Sequence, residues 1–286
     1  MKGIVWLASY PKSGNTWFRV FLTNLLRDAD QPAHINELES TPIASARAIF
    51  DNNIGFEASD LTADEIDRLR PELYRHLAEE AEETPFMKIH DAYTVMADDT
   101  PLIPAQATAG ALYFIRNPLD VAVSFAHHSS CNYDTSIARM DKPNFAFCAR
   151  TDRLHNQLRQ QLLTWSDHVL SWLDTAPFPV CMLRYEDMKR QPLATFTRAV
   201  RFAGLPHTEA QIQKALAFSA FDVVRQQEET DGFREKSPAS SRFFRKGQIG
   251  SWREELSEKQ AQRIVQDHGE VMRRFGYLDE NGEIPY

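Results

Sequence analysis

Several residues in this chain have the types and spacing to do chemistry on a phosphate-like anion. Lys12, Ser13, Gly14, Asn15 and Thr16 follow a short apolar run, Ile4-Val5-Trp6-Leu7, and precede an amphipathic one, Phe18 to Leu26. A strand, a tight turn with one lysine and one glycine, then a helix would offer backbone N–H donors and a cation to an anion at the helix N-terminus. A Walker A loop would read G-x-x-x-x-G-K-[ST], and that glycine spacing is missing. Lys88 and His90 close a second apolar run. Arg116 closes a third, with Ser124 two helical turns on, and Arg245-Lys246-Gly247 lies near the end. Trp17, Tyr185 and Phe221 are flat faces suited to a base.

The elements that must position these groups follow from hydrophobic period. Strands are expected at Ile4–Ser9, Phe86–Ile89, Ala111–Ile115 and Val180–Leu183. Helices are expected at Thr16–Arg27, from the Thr62-Ala-Asp-Glu capping box to about Glu83, and at Leu119–His128 behind Pro118. Others are expected over Leu154–Leu173, near 192–204 and 208–219, and over Ser257–Phe275. Residues 28–60 show no clear period, 129–153 read as a long polar loop, and 231–241 as the most loop-like stretch. Residues 228–243, rich in Glu, Gly, Ser and Pro, are expected to build no packed core and to order as a lid over bound nucleotide.

Strands alternating with helices imply an α/β fold, with a central, mainly parallel sheet flanked by helices. Ligands of such sheets bind at the carboxyl ends of the strands, and Lys12, His90 and Arg116 each stand just after one. No repeat or linker divides the 286 residues, so residues 1–286 are expected to form a single domain.

Composition narrows the class. Hydrophobic residues at 43% and charged ones at 25% are ordinary for a globular protein. A formal net charge of −8 disfavours nucleic acid and anionic membranes as partners. Cys131, Cys148 and Cys181 are widely spaced, with no C-x-x-C pair or zinc signature, which implies free thiols in a reducing compartment. With neither a signal peptide nor an apolar run of membrane-spanning length, a cytoplasmic location is expected.

Three motifs, taken in order, resemble the sulfotransferases that use 3′-phosphoadenosine 5′-phosphosulfate (PAPS). Ser9-Tyr-Pro-Lys-Ser-Gly-Asn-Thr-Trp17 is similar to that family's 5′-phosphosulfate loop. Tyr113-Phe-Ile-Arg-Asn-Pro-Leu-Asp-Val-Ala-Val-Ser124 is similar to its 3′-phosphate segment, and Arg245-Lys-Gly-Gln-Ile-Gly-Ser-Trp252 to its C-terminal Arg-Lys-Gly motif. The resemblance implies that Lys12 and the amides of Ser13 to Thr16 hold the 5′-phosphosulfate, in a P-loop-like turn. It implies Arg116, Ser124, Arg245, Lys246 and Gly247 for the 3′-phosphate. Trp17, Tyr185 and Phe221 would frame the adenine, with Ser219 near its edge. His90 stands where the family has its catalytic base, with Lys88 two residues before it, and the acceptor would be a small molecule.

Those residue types suit sulfuryl transfer, which like phosphoryl transfer is mostly alignment and charge neutralisation. The moving group carries less charge than a phosphoryl, so lysine can replace magnesium and no metal is expected. A histidine, with an ordinary pKa of about 6.5, can take the acceptor's proton. Lys12 and Lys88 can stabilise the oxygen that leaves with PAP, the 3′,5′-bisphosphate product.

Two departures stand out: Gly250-Ser251 replaces the usual Gly-Asp of animal cytosolic members, and their Lys-Thr-Val-Glu dimer signature is absent. The start Trp6-Leu-Ala-Ser-Tyr-Pro11 and the tail Met272-Arg-Arg-Phe-Gly-Tyr277 look more like bacterial tailoring sulfotransferases. Two other readings stay open: a kinase with a variant P-loop, and a PAP-binding protein without catalysis. Taken singly, each group also has a structural reading, such as Arg116 pairing with a surface carboxylate like Asp120.

Overall fold

The structure is a computed structural model that describes residues 2–38, 40–237 and 240–285. The chain divides into two compact units, Met1–Tyr10 with Glu39–Phe114 and Pro143–Met182, and Pro11–Leu38 with Ile115–Lys142 and Leu183–Tyr286.

The first unit is built on a sheet. β1 (Ile4–Ser9), β2 (Phe86–Ile89), β3 (Thr108–Ile115) and β6 (Val180–Arg184), the last two running out of the unit at their final residues, are ordered β2-β1-β3-β6. β1 runs parallel to both neighbours, with Ala8 beside Ile89 and Ser9 beside Phe114, so the three strands end level. All six residues of β1 are buried, as a parallel strand covered on both faces requires. The α/β class and the parallel sheet are as the sequence implied.

Around the sheet lie α2 (Arg47–Ile54), α3 (Ala63–Glu80) and α6 (Trp165–Leu170). α3 opens with the expected capping box between Thr62 and Glu65. Its buried Tyr74 packs edge-on against Trp6, ring centroids 5.0 Å apart.

The second unit is mostly helical. It contains α1 (Asn15–Arg27), α4 (Pro118–Ser129), α5 (Tyr133–Met140), α7 (Tyr185–Arg190), α8 (Pro192–Phe202), α9 (Glu209–Phe218), α10 (Phe221–Asp231) and α11 (Glu258–Arg274). Phe18 and Phe21 of α1 meet Phe196 of α8 at 5.6 and 4.5 Å between ring centroids.

Three expectations are corrected, and the stretch with no clear period contains a helix. The helix drawn over Leu154–Leu173 begins only at Trp165. Leu158, Gln160 and Leu162 are buried at alternate positions, and Gln160–Gln161 forms β5, paired antiparallel with β4 (Ala146–Phe147). A spacing of four fits a strand as well as a helix. Leu163 then turns left-handed (φ 58°), Thr164 caps α6, and the chain widens into a π turn at Ser171–Thr175.

The polar stretch 129–153 contains α5. Asn132 caps it, and Ser136 Oγ donates to the Ala122 carbonyl at 2.8 Å. α2, within the stretch 28–60, buries only Phe50, so it shows almost no period.

The stretch 228–243 does pack. Glu228, on α10, accepts the amides of Phe243 and Phe244 at 2.7 and 2.8 Å. Phe233 and Phe244 join Val20, Ile35, Leu38 and Val224 in one cluster. Positions 238–239 of the expected lid lie outside the described residues.

Candidate functional site

In the second unit the loop before α1 takes an uncommon backbone course. Lys12 is left-handed (φ 73°) without being glycine, a conformation that costs energy and clusters at functional sites. Gly14 (φ 101°) opens α1 with no side-chain cap, so the first helical amides have no side-chain acceptor there. A Cβ on Gly14 would stand 2.8 Å from Tyr185 Cδ2, so only glycine fits against that ring. The Lys12 ammonium lies 4.0 Å from the Phe243 ring centroid.

Arg116 ties three segments of this unit together. Its Nη1 donates to the Lys12 carbonyl at 3.2 Å, its Nη2 to the Gln248 carbonyl at 3.0 Å, and its guanidinium lies 4.3 Å over the Tyr185 ring. Its Nε, the Ser13 hydroxyl and the Trp17 indole N–H are buried and meet no acceptor or donor among the described residues. Buried polar atoms are rarely left so. An anion held by Lys12, Ser13 and Arg116 would satisfy two of them, so the residues present fit a phosphate-bearing ligand.

Flat faces stand nearby. Trp17 and Tyr185 meet edge-on at 6.1 Å. Gly247 (φ 59°) approaches Phe221 so closely that a Cβ would stand 2.4 Å from Cδ2. Ser219 is buried after α9, its hydroxyl on the Leu216 carbonyl at 3.2 Å. Ser124 is half-buried on α4.

Arg245 and Lys246 are already partnered. Glu255 takes Arg245 at 2.6 Å and Lys246 at 2.9 Å, and Glu254 takes Lys246 at 3.0 Å. His127 and the Tyr133 hydroxyl also reach Glu255, at 2.9 and 2.6 Å. Burial would raise this carboxyl, but the bonds from His127, Tyr133, Lys246 and Arg245 hold it far below the usual carboxylate range.

Sequence reasoning missed three residues of this unit. Asp120 is fully buried rather than a surface carboxylate. It accepts Gly250 N at 2.8 Å, the Ser251 hydroxyl at 3.0 Å and Trp252 N at 3.1 Å, and stands 3.7 Å from Arg116. Serine at 251 donates to the Asp120 carboxylate, which an aspartate there would face instead. Glu186, its carboxyl raised by burial, accepts Asn117 N and the Tyr277 hydroxyl at 3.0 Å each, anchoring the turn after β3. Lys189 lies 5.4 Å from the Trp17 ring and 5.9 Å from the Phe221 ring, its ammonium pushed down by burial. An acidic residue in the first turn after Asn117-Pro118 was a readable signal for Asp120; Glu186 and Lys189 had none.

The first unit holds Lys88 and His90. Lys88 is buried in β2, its backbone bonded to Pro42 and Ala44 at 2.8 Å each. His90 follows β2, and its Nδ1 lies 2.9 Å from the Ser9 carbonyl and 3.3 Å from the Ser9 hydroxyl. A carbonyl only accepts, so Nδ1 carries the hydrogen and Nε2 is the basic nitrogen. The next residue, Asp91, is buried and paired with Arg70 at 2.7 Å.

Among the described residues, no group of three His, Cys, Asp or Glu side chains could hold a metal ion, and no helix is long and apolar enough to cross a membrane. No disulfide joins Cys131, Cys148 and Cys181, and all three are partly buried.

The chain is similar to curated and solved sulfotransferases. It is 24% identical to a flavonol 4′-sulfotransferase of Flaveria chlorifolia, over 91% of this chain and 76% of that relative. It is 23% identical to the luciferin sulfotransferase of Photinus pyralis, over 88% and 67%. The fold is similar to that of a retinol dehydratase solved with androsterone and PAP, at 20% identity and a TM-score of 0.60 over 94% of this chain and 80% of that one. The sulfotransferase domain family matches residues 2–276 in one span, and the chain belongs to that family.

Proposed function

We propose that this PAPS-dependent sulfotransferase transfers the sulfuryl group to a hydroxyl, phenol or amine of a small-molecule or natural-product acceptor, with His90 as general base. The observation that carries the role of His90 is its bond to the Ser9 carbonyl, which keeps the hydrogen on Nδ1 and makes Nε2 the basic nitrogen. The relatives named for flavonol and luciferin support the acceptor class. The family match crosses both units without a break, which supports treating residues 1–286 as one sulfotransferase domain. Cytoplasmic location is part of the same reading, as is the absence of nucleic-acid and membrane partners, which rests on the net charge of −8.

PAPS supplies the activated sulfuryl group and leaves as PAP. The uncapped start of α1, with Ser13 and Lys12, would hold its 5′ end, and Arg116, Ser124, Arg245, Lys246 and Gly247 its 3′-phosphate. Trp17, Tyr185 and Phe221 would take the adenine, with Ser219 at its edge. His90 Nε2 accepts the proton of the acceptor as its oxygen or nitrogen bonds to sulfur. The electron pair of the broken bond stays on the phosphate oxygen, where Lys12 and Lys88 offset the new charge.

The experiment is incubation with labelled PAPS and a panel of phenols, alcohols and amines, with and without EDTA, products identified by mass. Sulfated product in the presence of EDTA is expected. Transfer only with magnesium and ATP would put the variant-kinase reading in its place.

A further inference from the structure

Beneath His90, in the first unit, lies a second histidine that the transfer chemistry does not use. His168, on α6, is fully buried. Its Nε2 is 3.0 Å from the His90 carbonyl and its Nδ1 is 2.8 Å from the Tyr113 hydroxyl of β3. Tyr10 packs edge-on against the same ring at 5.4 Å.

The protons in this chain have one consistent arrangement. The His90 carbonyl can only accept, so His168 Nε2 carries a hydrogen. Burial lowers the His168 pKa to about 4, so at neutral pH Nδ1 is bare and accepts. Burial pushes the Tyr113 phenol well up, so it keeps its hydrogen and donates. The donors then run from Tyr113 to His168 to the backbone of His90, whose own Nδ1 donates to Ser9. The residue after His90 is fixed separately: Trp172 Nε1 donates to the Asp91 carbonyl at 3.0 Å, and Arg70 grips the Asp91 carboxylate.

We propose that His168, oriented by Tyr113, is a positioning residue for His90. It holds the His90 peptide at the one rotation that lets Nδ1 reach the Ser9 carbonyl and so fixes Nε2 as the basic nitrogen. This rests on the reading of His90 as the base, but it makes a claim that needs no acceptor to test. A free imidazole mixes its two neutral tautomers; a held one does not.

The test is ¹⁵N NMR of histidine-labelled full-length protein above pH 8, with the His90 signals assigned by their loss in His90→Asn. In the wild type His90 is expected in the Nδ1–H form alone. His168→Phe removes both bonds and is expected to give His90 a tautomer mixture and at least a ten-fold lower kcat. KM for PAPS is expected to change less than three-fold. His168→Gln, which keeps a donor near the Nε2 position, is expected to recover kcat to within three-fold of wild type. If His168→Phe does not fold, Tyr113→Phe decides, since it removes one bond and leaves the ring: loss of the single His90 tautomer supports the proposal. An unchanged His90 spectrum in whichever of these variants folds overturns it. Turnover retained in His90→Asn would instead remove the base reading and leave the tautomer measurement standing by itself.

Discussion

The guanidinium of Arg116 lies over the ring of Tyr185, 4.3 Å from its centroid, and that same ring is what keeps position 14 a glycine. One aromatic side chain therefore shapes both the cation after β3 and the loop before α1. Arg116 then joins the two through the Lys12 carbonyl. Arg116, Lys12, Gly14 and Tyr185, all proposed for the nucleotide, are thus held against one another rather than standing as separate surface groups.

Arg116 should discriminate PAP from AMP, which lacks the 3′-phosphate. A charge-assisted bond contributes about 1.5–3 kcal/mol, so Arg116→Ala is expected to weaken PAP binding about ten-fold or more. AMP binding should hardly change. Calorimetry with both nucleotides reads the difference, and equal losses would make Arg116 a structural brace between Lys12 and Gln248.

Glu255 competes with any phosphate for Arg245 and Lys246. Glu255→Gln is expected to tighten PAP binding by about three- to ten-fold, the scale of one partly exposed ion pair. Unchanged or weaker binding in titration calorimetry would mean that Glu255 holds the two cations in their ligand-binding pose. The same carboxyl has a lowered folded pKa. Its contribution to stability is present above its ordinary value of 4.5 and is lost as pH falls towards the folded value. Below about pH 4.5 the Tm of Glu255→Gln should therefore fall less steeply than that of the wild type. Parallel acid limbs would contradict this.

Gly247 has no room for a side chain. Gly247→Ala must hold a left-handed residue, at about 1–2 kcal/mol, while its methyl displaces Phe221. PAP affinity is expected to drop by about ten-fold or more, with Tm lowered by only a few degrees. Full affinity in Gly247→Ala would take Phe221 out of the adenine frame.

His90→Asn keeps a donor where Nδ1 stands, so the bond to the Ser9 carbonyl survives, but it cannot take a proton. Transfer to a working acceptor is expected to fall by about 10²–10⁴, the usual contribution of a general base. PAP affinity should stay within about two-fold, a difference of under half a kcal/mol. A structural histidine would show the reverse, a lower Tm and weaker PAP binding with turnover preserved per folded molecule.

Local chemistry made much of this protein readable from its sequence. The strands Ile4–Ser9 and Phe86–Ile89 are continuous apolar runs, and the caps at Thr62, Asn117 and Ser257 act within one helical turn of themselves. The Lys12–Thr16 loop, the Arg116 turn and the Arg-Lys-Gly motif were visible as candidates because each puts its cations and glycine or proline into a few consecutive residues. Tertiary structure decided what depends on a distant partner. α5 is only eight residues long, and α10 buries only Val224 and Glu228, so neither offers a long apolar stripe to read. Leu158 and Leu162 could be helical or extended until the neighbouring strand and the left-handed Leu163 chose. Asp120 meets Trp252 across 132 positions, and His168 meets His90 across 78. No window of sequence contains both ends of such a bond, and its energy exists only once the chain has closed the loop between them.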